Sequence, residues 1–212
     1  MIDFTKLNKK FLEPEKAKGC VILIPGMSGS PLNDERYDKI EKALLGKGYA
    51  FLRIEFWNNP KELNNLSLQE LFDAIDQAVA FARRKYNKVI GLGKSFGGGL
   101  LTAHHEGFDS LMLLSPAFRF GENETISILK NVPFSQIESL AKLVVDKKLL
   151  NDMPKTLIIH GTSDSVVSID NSRKMAKSAS NCKLIELQGQ DHSYTQENGM
   201  EQVVENILSF LV

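Results

Sequence analysis

Six short, mostly unbroken apolar runs, separated by longer stretches of helical periodicity, constrain this chain more than any other feature. The runs are Cys20-Val21-Ile22-Leu23-Ile24, Ala50-Phe51-Leu52-Arg53-Ile54-Glu55-Phe56, Val89-Ile90-Gly91-Leu92, Ser110-Leu111-Met112-Leu113-Leu114, Thr156-Leu157-Ile158-Ile159-His160 and Lys183-Leu184-Ile185-Glu186-Leu187. A strand that is apolar throughout must be covered on both faces, which is the condition of a parallel sheet. Between the runs, Ser67 and Glu70 have capping-box spacing, and Leu68, Leu71, Phe72, Ile75, Val79 and Ala82 follow on one helical face. Tyr37, Ile40 and Leu44 line another helix over 34–45, ended by Gly46 and Gly48. A third is expected from about Phe96 to Glu106, a fourth capped by Ser168, and a last one faced by Val203, Val204, Ile207, Leu208 and Leu211. This rhythm predicts an α/β chain, a doubly wound and mostly parallel sheet of about six strands flanked by helices, forming one domain over 1–212. It breaks between Arg119 and Pro154, where helical patterns at 125–131 and 135–148 predict a small helical excursion or cap and no strand.

Composition narrows the partners. At 212 residues, with 42% hydrophobic and 25% charged, the chain can bury a core without disulfides or a structural metal. Its 26 basic and 26 acidic side chains cancel, leaving no electrostatic footprint for nucleic acid or an anionic membrane. The first ten residues carry no apolar signal region, and no run approaches the ~18 apolar residues a membrane span needs, so a cytoplasmic protein is expected. Cys20 and Cys182, far apart, are expected to be buried, unpaired thiols suited to a reducing compartment. Two cysteines and four histidines make no zinc pattern. A small molecule is the expected partner.

The chemistry lies where strands end, because ligands of parallel α/β sheets bind outside the carboxyl edge. The third run leads into Gly93-Lys94-Ser95-Phe96-Gly97-Gly98-Gly99 and then a helix. That is Gly-x-Ser-x-Gly in strand–turn–helix context, in which the glycines remove Cβ atoms from a strained turn that presents the serine oxygen near a helix N-terminus. Lys94-Ser95 lacks the glycines of a phosphate-binding loop. A serine nucleophile needs a base, and the base an orienting carboxylate. Asp164 follows the fifth run and His192 the sixth, so the order Ser95, Asp164, His192 emerges, each residue after a different strand. His104 and His105 are expected to pack or face solvent, His160 to fill the core near the site, and Asp170 to favour a helix first turn. Asp191 adjoins His192, but neighbouring side chains diverge. The backbone N–H groups of Phe96 and of Met27, in the loop after the first run, are the expected oxyanion donors. Trp57, Phe118 and Phe120 are candidate walls of a substrate pocket, and Lys94 a candidate attractor of an anionic substrate or else a paired surface charge.

On these motifs the chain resembles the α/β-hydrolase superfamily, from Cys20 to Val212, and within it the compact dienelactone hydrolase-like and carboxylesterase-like members. The resemblance implies a serine hydrolase that cleaves a small soluble carboxylic ester or thioester through an acyl-enzyme at Ser95, with no cofactor and no metal. There are departures from the family pattern. Pro25-Gly26 stands where many members have His-Gly, which leaves the backbone donor intact. Ser95 replaces the cysteine of true dienelactone hydrolases, so their substrate does not carry over. The two N-terminal strands of the full family sheet are not evident before Cys20. A peptidase or amide hydrolase, a cofactor-free perhydrolase or haloperoxidase-like enzyme, and a non-catalytic binding protein on this fold all remain open to these residues.

Overall fold

The computed structural model describes residues 2–27, 30–120 and 143–212. In chain order it contains a 3-10 turn at Phe4–Lys6, β1 (Lys9–Leu12), β2 (Cys20–Ile24), a second 3-10 turn at Pro31–Asn33, α1 (Glu35–Gly46), β3 (Ala50–Ile54), α2 (Pro60–Leu63), α3 (Leu68–Arg83) and β4 (Val89–Lys94). Then follow α4 (Phe96–Ala103), β5 (Ser110–Leu114), β6 (Arg119–Phe120), β7 (Val144–Val145), α5 (Lys147–Asn151), β8 (Lys155–Gly161), α6 (Ile169–Ser178), β9 (Cys182–Leu187) and α7 (Gly199–Phe210).

Seven strands form the main sheet in the order β1-β3-β2-β4-β5-β8-β9, all parallel except β1, which runs antiparallel to β3. Alternation along β2 shows how both faces are filled. Cys20, Ile22 and Ile24 join the apolar layer under α3 and α4, whereas Val21 and Leu23 join the layer under α1 and α7. The helices start where local chemistry satisfies their first N–H groups. Asp34 accepts from the Arg36 N–H, Ser67 and Glu70 close a reciprocal capping box, and Ser168 accepts from the Asp170 N–H. The face of α3 then buries Leu71, Ala74, Ile75, Ala78, Val79 and Ala82, each Leu or Ile contributing about 1.5–3 kcal/mol.

One expectation is sharpened and two need correction. The sheet of about six strands has seven, because Lys9-Lys10-Phe11-Leu12 adds an antiparallel edge. All four of its residues are only half-buried, and lysines on an edge strand hide the apolar signal that marks central strands. The excursion between Arg119 and Pro154 does contain strand: Arg119–Phe120 pairs in parallel with Val144–Val145, and after that pair a helix follows at Lys147–Asn151. Leu143, Val145, Leu150 and Met153 are all buried, so the described end of the pattern expected over 135–148 is met by a strand and then the start of a short helix. The expected pattern at 125–131, and positions 135–142 of the second, lie outside the described residues. Finally, α4 stops at Ala103, with His104 at its C-cap, rather than reaching Glu106.

Candidate active site

The chain leaves β2 toward β3 on one side, then returns to place β4 on the other side of β2. Adjacent loops that diverge in this way open a crevice at the carboxyl edge. The loops after β2 and β4 flank it, and those after β8 and β9 complete it.

Ser95 follows β4 directly, with φ 53° and ψ −118°, a left-handed conformation that L-residues adopt at a cost. The turn is held by backbone. The Ser95 N–H donates to the Leu114 carbonyl at 2.8 Å, and the Ser95 carbonyl accepts from Gly99 and Ala117 N–H groups at 3.0 and 2.9 Å. A Cβ on Gly93 would fall 2.6 Å from the Gly98 Cα, and one on Gly97 would overlap the carbonyl oxygens of Ile24 and Pro25. These glycines therefore let α4 press against β2 and β4 and fix where Ser95 points. Gly26 lies so close that its Cβ would sit 3.4 Å from the Ser95 Cβ, which puts the loop after β2 beside the Ser95 side chain.

Three side chains from distant segments meet in a line. His192 Nε2 lies 3.1 Å from Ser95 Oγ, and His192 Nδ1 lies 2.7 Å from Asp164 Oδ2. The Asp164 side chain is fully buried, and its Oδ1 accepts from the Val166 and Val167 N–H groups, both at 2.8 Å. Burial alone would raise its pKa, but hydrogen bonds from His160 and His192 outweigh that and hold the carboxyl well below its usual range. Asp164 is thus an anion, and Nδ1 of His192 carries the proton that faces it. Burial first, and the nearby Lys94 second, lower His192 to about 4 against the pull of Asp164, leaving the imidazole neutral near pH 7.

The remaining sequence candidates fall into distinct places. Met27 is buried, and its carbonyl accepts from the Trp57 indole N–H at 3.3 Å, while the Trp57 ring meets Phe96 edge-on at 5.9 Å. Trp57 and Phe118 are 2% and 3% exposed and belong to the core layer, and of the three aromatic candidates only Phe120 is half-buried. Trp57 therefore braces the loop after β2 rather than offering an open wall. His104 stacks on Phe72 and pairs with Asp76 at 2.7 Å, and His105 faces the Thr102 carbonyl at 3.2 Å, both away from Ser95. Asp170 lies in the first turn of α6. Asp191 caps its own loop, accepting from the Ser193 and Thr195 N–H groups and the Thr195 hydroxyl. Cys20 is buried and Cys182 half-buried, both as free thiols.

Two contacts carry little signal along the sequence. His160 is fully buried, with Nε2 at 3.1 Å from both the Val167 carbonyl and Asp164 Oδ2 and Nδ1 at 2.7 Å from the Ser172 hydroxyl, so a second imidazole edge faces the same carboxylate. Tyr194, two residues after His192, has φ 57°, and its hydroxyl bonds Ser115 Oγ at 2.8 Å and the Ile159 carbonyl at 2.9 Å, pinning the histidine loop to β5 and β8. A polar group ending an otherwise apolar strand was the only available hint for His160. Among the described residues no group of three or more His, Cys, Asp or Glu side chains is placed to hold a metal ion, and no helix is long and apolar enough to cross a membrane.

Solved structures with the same architecture span nearly the whole chain. Est1E from Butyrivibrio proteoclasticus with ferulic acid bound superposes with a TM-score of 0.74 at 18% identity, covering 97% of this chain and 95% of that one. The Paleococcus ferrophilus monoacylglycerol lipase gives 0.71 at 16%, over 97% and 99%. The dienelactone hydrolase from Anabaena variabilis gives 0.72 at 18%, over 97% and 90%. At these identities the likeness establishes the fold, which is that of the α/β-hydrolases. No curated protein sequence matches the chain. At the level of sequence families, residues 20–212 match the profile of the Uncharacterised protein family UPF0227, and the chain belongs to it.

Proposed function

We propose that the protein is a serine hydrolase that cleaves a small carboxylic ester or thioester through an acyl-enzyme at Ser95. One observation carries this reading: His192 bridges Ser95 Oγ at 3.1 Å and the buried Asp164 at 2.7 Å, on a strained turn that opens a helix. In this scheme Ser95 Oγ attacks the acyl carbon, the carbonyl π pair moves onto oxygen, and the Ser95 proton passes to His192 Nε2. Asp164 keeps the proton on Nδ1 and stabilises the imidazolium. The oxyanion is received by the Phe96 N–H, in a first helical turn where N–H groups lack intrahelical acceptors, and by the Met27 N–H. Collapse expels the alcohol or thiol, which takes the proton from Nε2. Water then repeats the sequence, with His192 as its base, and releases the acid. Among the similar structures are a monoacylglycerol lipase, a dienelactone hydrolase and one that holds ferulic acid, which supports an ester as the bond cleaved.

Hydrolysis of p-nitrophenyl acetate, butyrate and octanoate by the wild type and Ser95→Ala, assayed side by side, tests the proposal. The variant is expected to lose about 10³–10⁶-fold in kcat while melting like the wild type. Equal rates in the two proteins would sink the Ser95 assignment.

A further inference from the structure

Lys94 has no task in the acyl-transfer scheme, yet it is placed where it must affect it. It ends β4 and is only 6% exposed. A lysine this buried ordinarily faces a carboxylate. Instead its Nζ lies 3.1 Å from His192 Nε2 and 5.6 Å from the centre of the Tyr194 ring. Its surroundings on the α1/α7 face include Tyr37, Ile40, Leu114 and Met200, around a cavity of about 10 Å³. That is the far side of the sheet from the layer holding Trp57 and Phe118.

The atom that Lys94 approaches is the one Ser95 approaches. With Nδ1–H directed at Asp164, a neutral His192 has a single lone pair at Nε2, and two donors converge on it. An ammonium can only donate there, so it competes with the Ser95 hydroxyl and repels the imidazolium. A neutral amine can turn its own lone pair toward Nε2–H once the Ser95 proton has arrived. We infer that Lys94 is a positioning residue for His192, restraining Ser95 while it is charged and releasing it on losing its proton. This inference rests on the reading of Ser95 and His192 as nucleophile and base.

The groups around Lys94 favour such a change near neutrality. Burial draws it down to about 7 and Arg36 adds to this, while Asp164, Asp191 and Asp34 oppose it. The two phenols facing it, Tyr37 from α1 and Tyr194 from the histidine loop, are pushed up by burial and stay neutral. His192 itself titrates lower, near 4. Of the side chains that touch His192 Nε2, Lys94 is the one whose charge changes near neutrality.

The test uses the full chain and two readouts: the second-order rate of Ser95 labelling by a fluorophosphonate probe between pH 5 and 9, and the NMR titration of the His192 ring. Wild-type labelling is expected to rise about tenfold or more through pH ~7, and the His192 signals to show an inflection there besides their own. Lys94→Met should lack the rise, and its His192 pKa should climb by about one unit or more. Lys94→Arg, whose guanidinium keeps its proton, should stay at the slow rate up to pH 9. Because Lys94 titrates lower folded than unfolded, wild-type stability should increase from pH ~7 toward ~10.5, a slope that Lys94→Met should lose. A wild-type profile in Lys94→Met, a rise retained in Lys94→Arg, or a wild-type His192 without the second inflection would each overturn the inference. Labelling that fails in the wild type, or persists in Ser95→Ala, would instead remove the hydrolase reading, and the His192 titration would still decide the Lys94 contact.

Discussion

Around Ser95, backbone packs on backbone: the carbonyls of Ile24 and Pro25 occupy the space a Cβ on Gly97 would need, and Ala117 does the same to Gly99. Around His192, the loop is tied by side chains, with Asp191 bonding Ser193 and Thr195, Gln190 bonding the Glu197 carbonyl at 3.2 Å, and Tyr194 reaching β5 and β8. The first region is a steric object whose geometry does not depend on protonation. The second is an electrostatic one, in which a lysine and a buried carboxylate act on His192 from its two ring nitrogens. The proposed nucleophile is thus fixed by shape, while the strength of its proposed base is set by charge.

Among the residues around Ser95 and His192 that support them, the largest expected effect falls on the electrostatic side. Asp164→Asn should lower kcat by about 10³–10⁴-fold, because an amide favours the wrong imidazole tautomer and no longer stabilises the cation. Its stability consequence has a definite sign. Asp164 is held below its unfolded value, so its contribution is complete above pH ~4 and disappears as the pH falls through the depressed folded value. Acid unfolding curves of the wild type and Asp164→Asn should therefore differ in slope below pH ~4, and coincident curves would contradict the buried-anion assignment.

On the steric side, Gly97→Ala should destabilise by about 3 kcal/mol or more, since backbone rather than a flexible side chain must move. Urea melts at pH 6 and pH 8 should show the same loss, and a pH-dependent loss would blur the contrast between the two regions. Trp57→Phe probes the brace on the loop after β2 by keeping a ring against Phe96 while removing the N–H that holds the Met27 carbonyl. A hydrogen bond worth about 1 kcal/mol should show as a few-fold fall in kcat with KM little changed. A change confined to KM would make Trp57 a pocket wall after all. The smallest effect is a control, Gly46→Ala at the exposed end of α1, where an added Cβ meets nothing within 4 Å. It should stabilise by about 0.5–1 kcal/mol and leave kcat untouched.

Much of this was legible along the chain, and the reasons differ by residue. The turn at Ser95 could be read because glycine requirements in a strand–turn–helix are local, and Ser67 with Glu70 because a capping box spans one helical turn. The positions of Asp164 and His192 after their strands follow from the carboxyl-edge rule. β1 escaped notice because an edge strand with two lysines has no apolar period, and the β6–β7 pair because two residues make no period at all. Trp57 and Phe118 read equally as pocket or core, since an aromatic after a strand fits both, and burial places them in the core.

The sequence by itself determined the α/β order, the strained serine turn and the succession of serine, carboxylate and histidine, because each depends on residues within a few positions of one another or on simple order along the chain. Only the tertiary structure decided that His160 shares the carboxylate of Asp164, that Tyr194 anchors the histidine loop, and that Lys94 and Ser95 meet at one nitrogen of His192. Those contacts join segments up to 98 residues apart. Their strength depends on burial, which is created when two helical layers close over the sheet and is written at no single position.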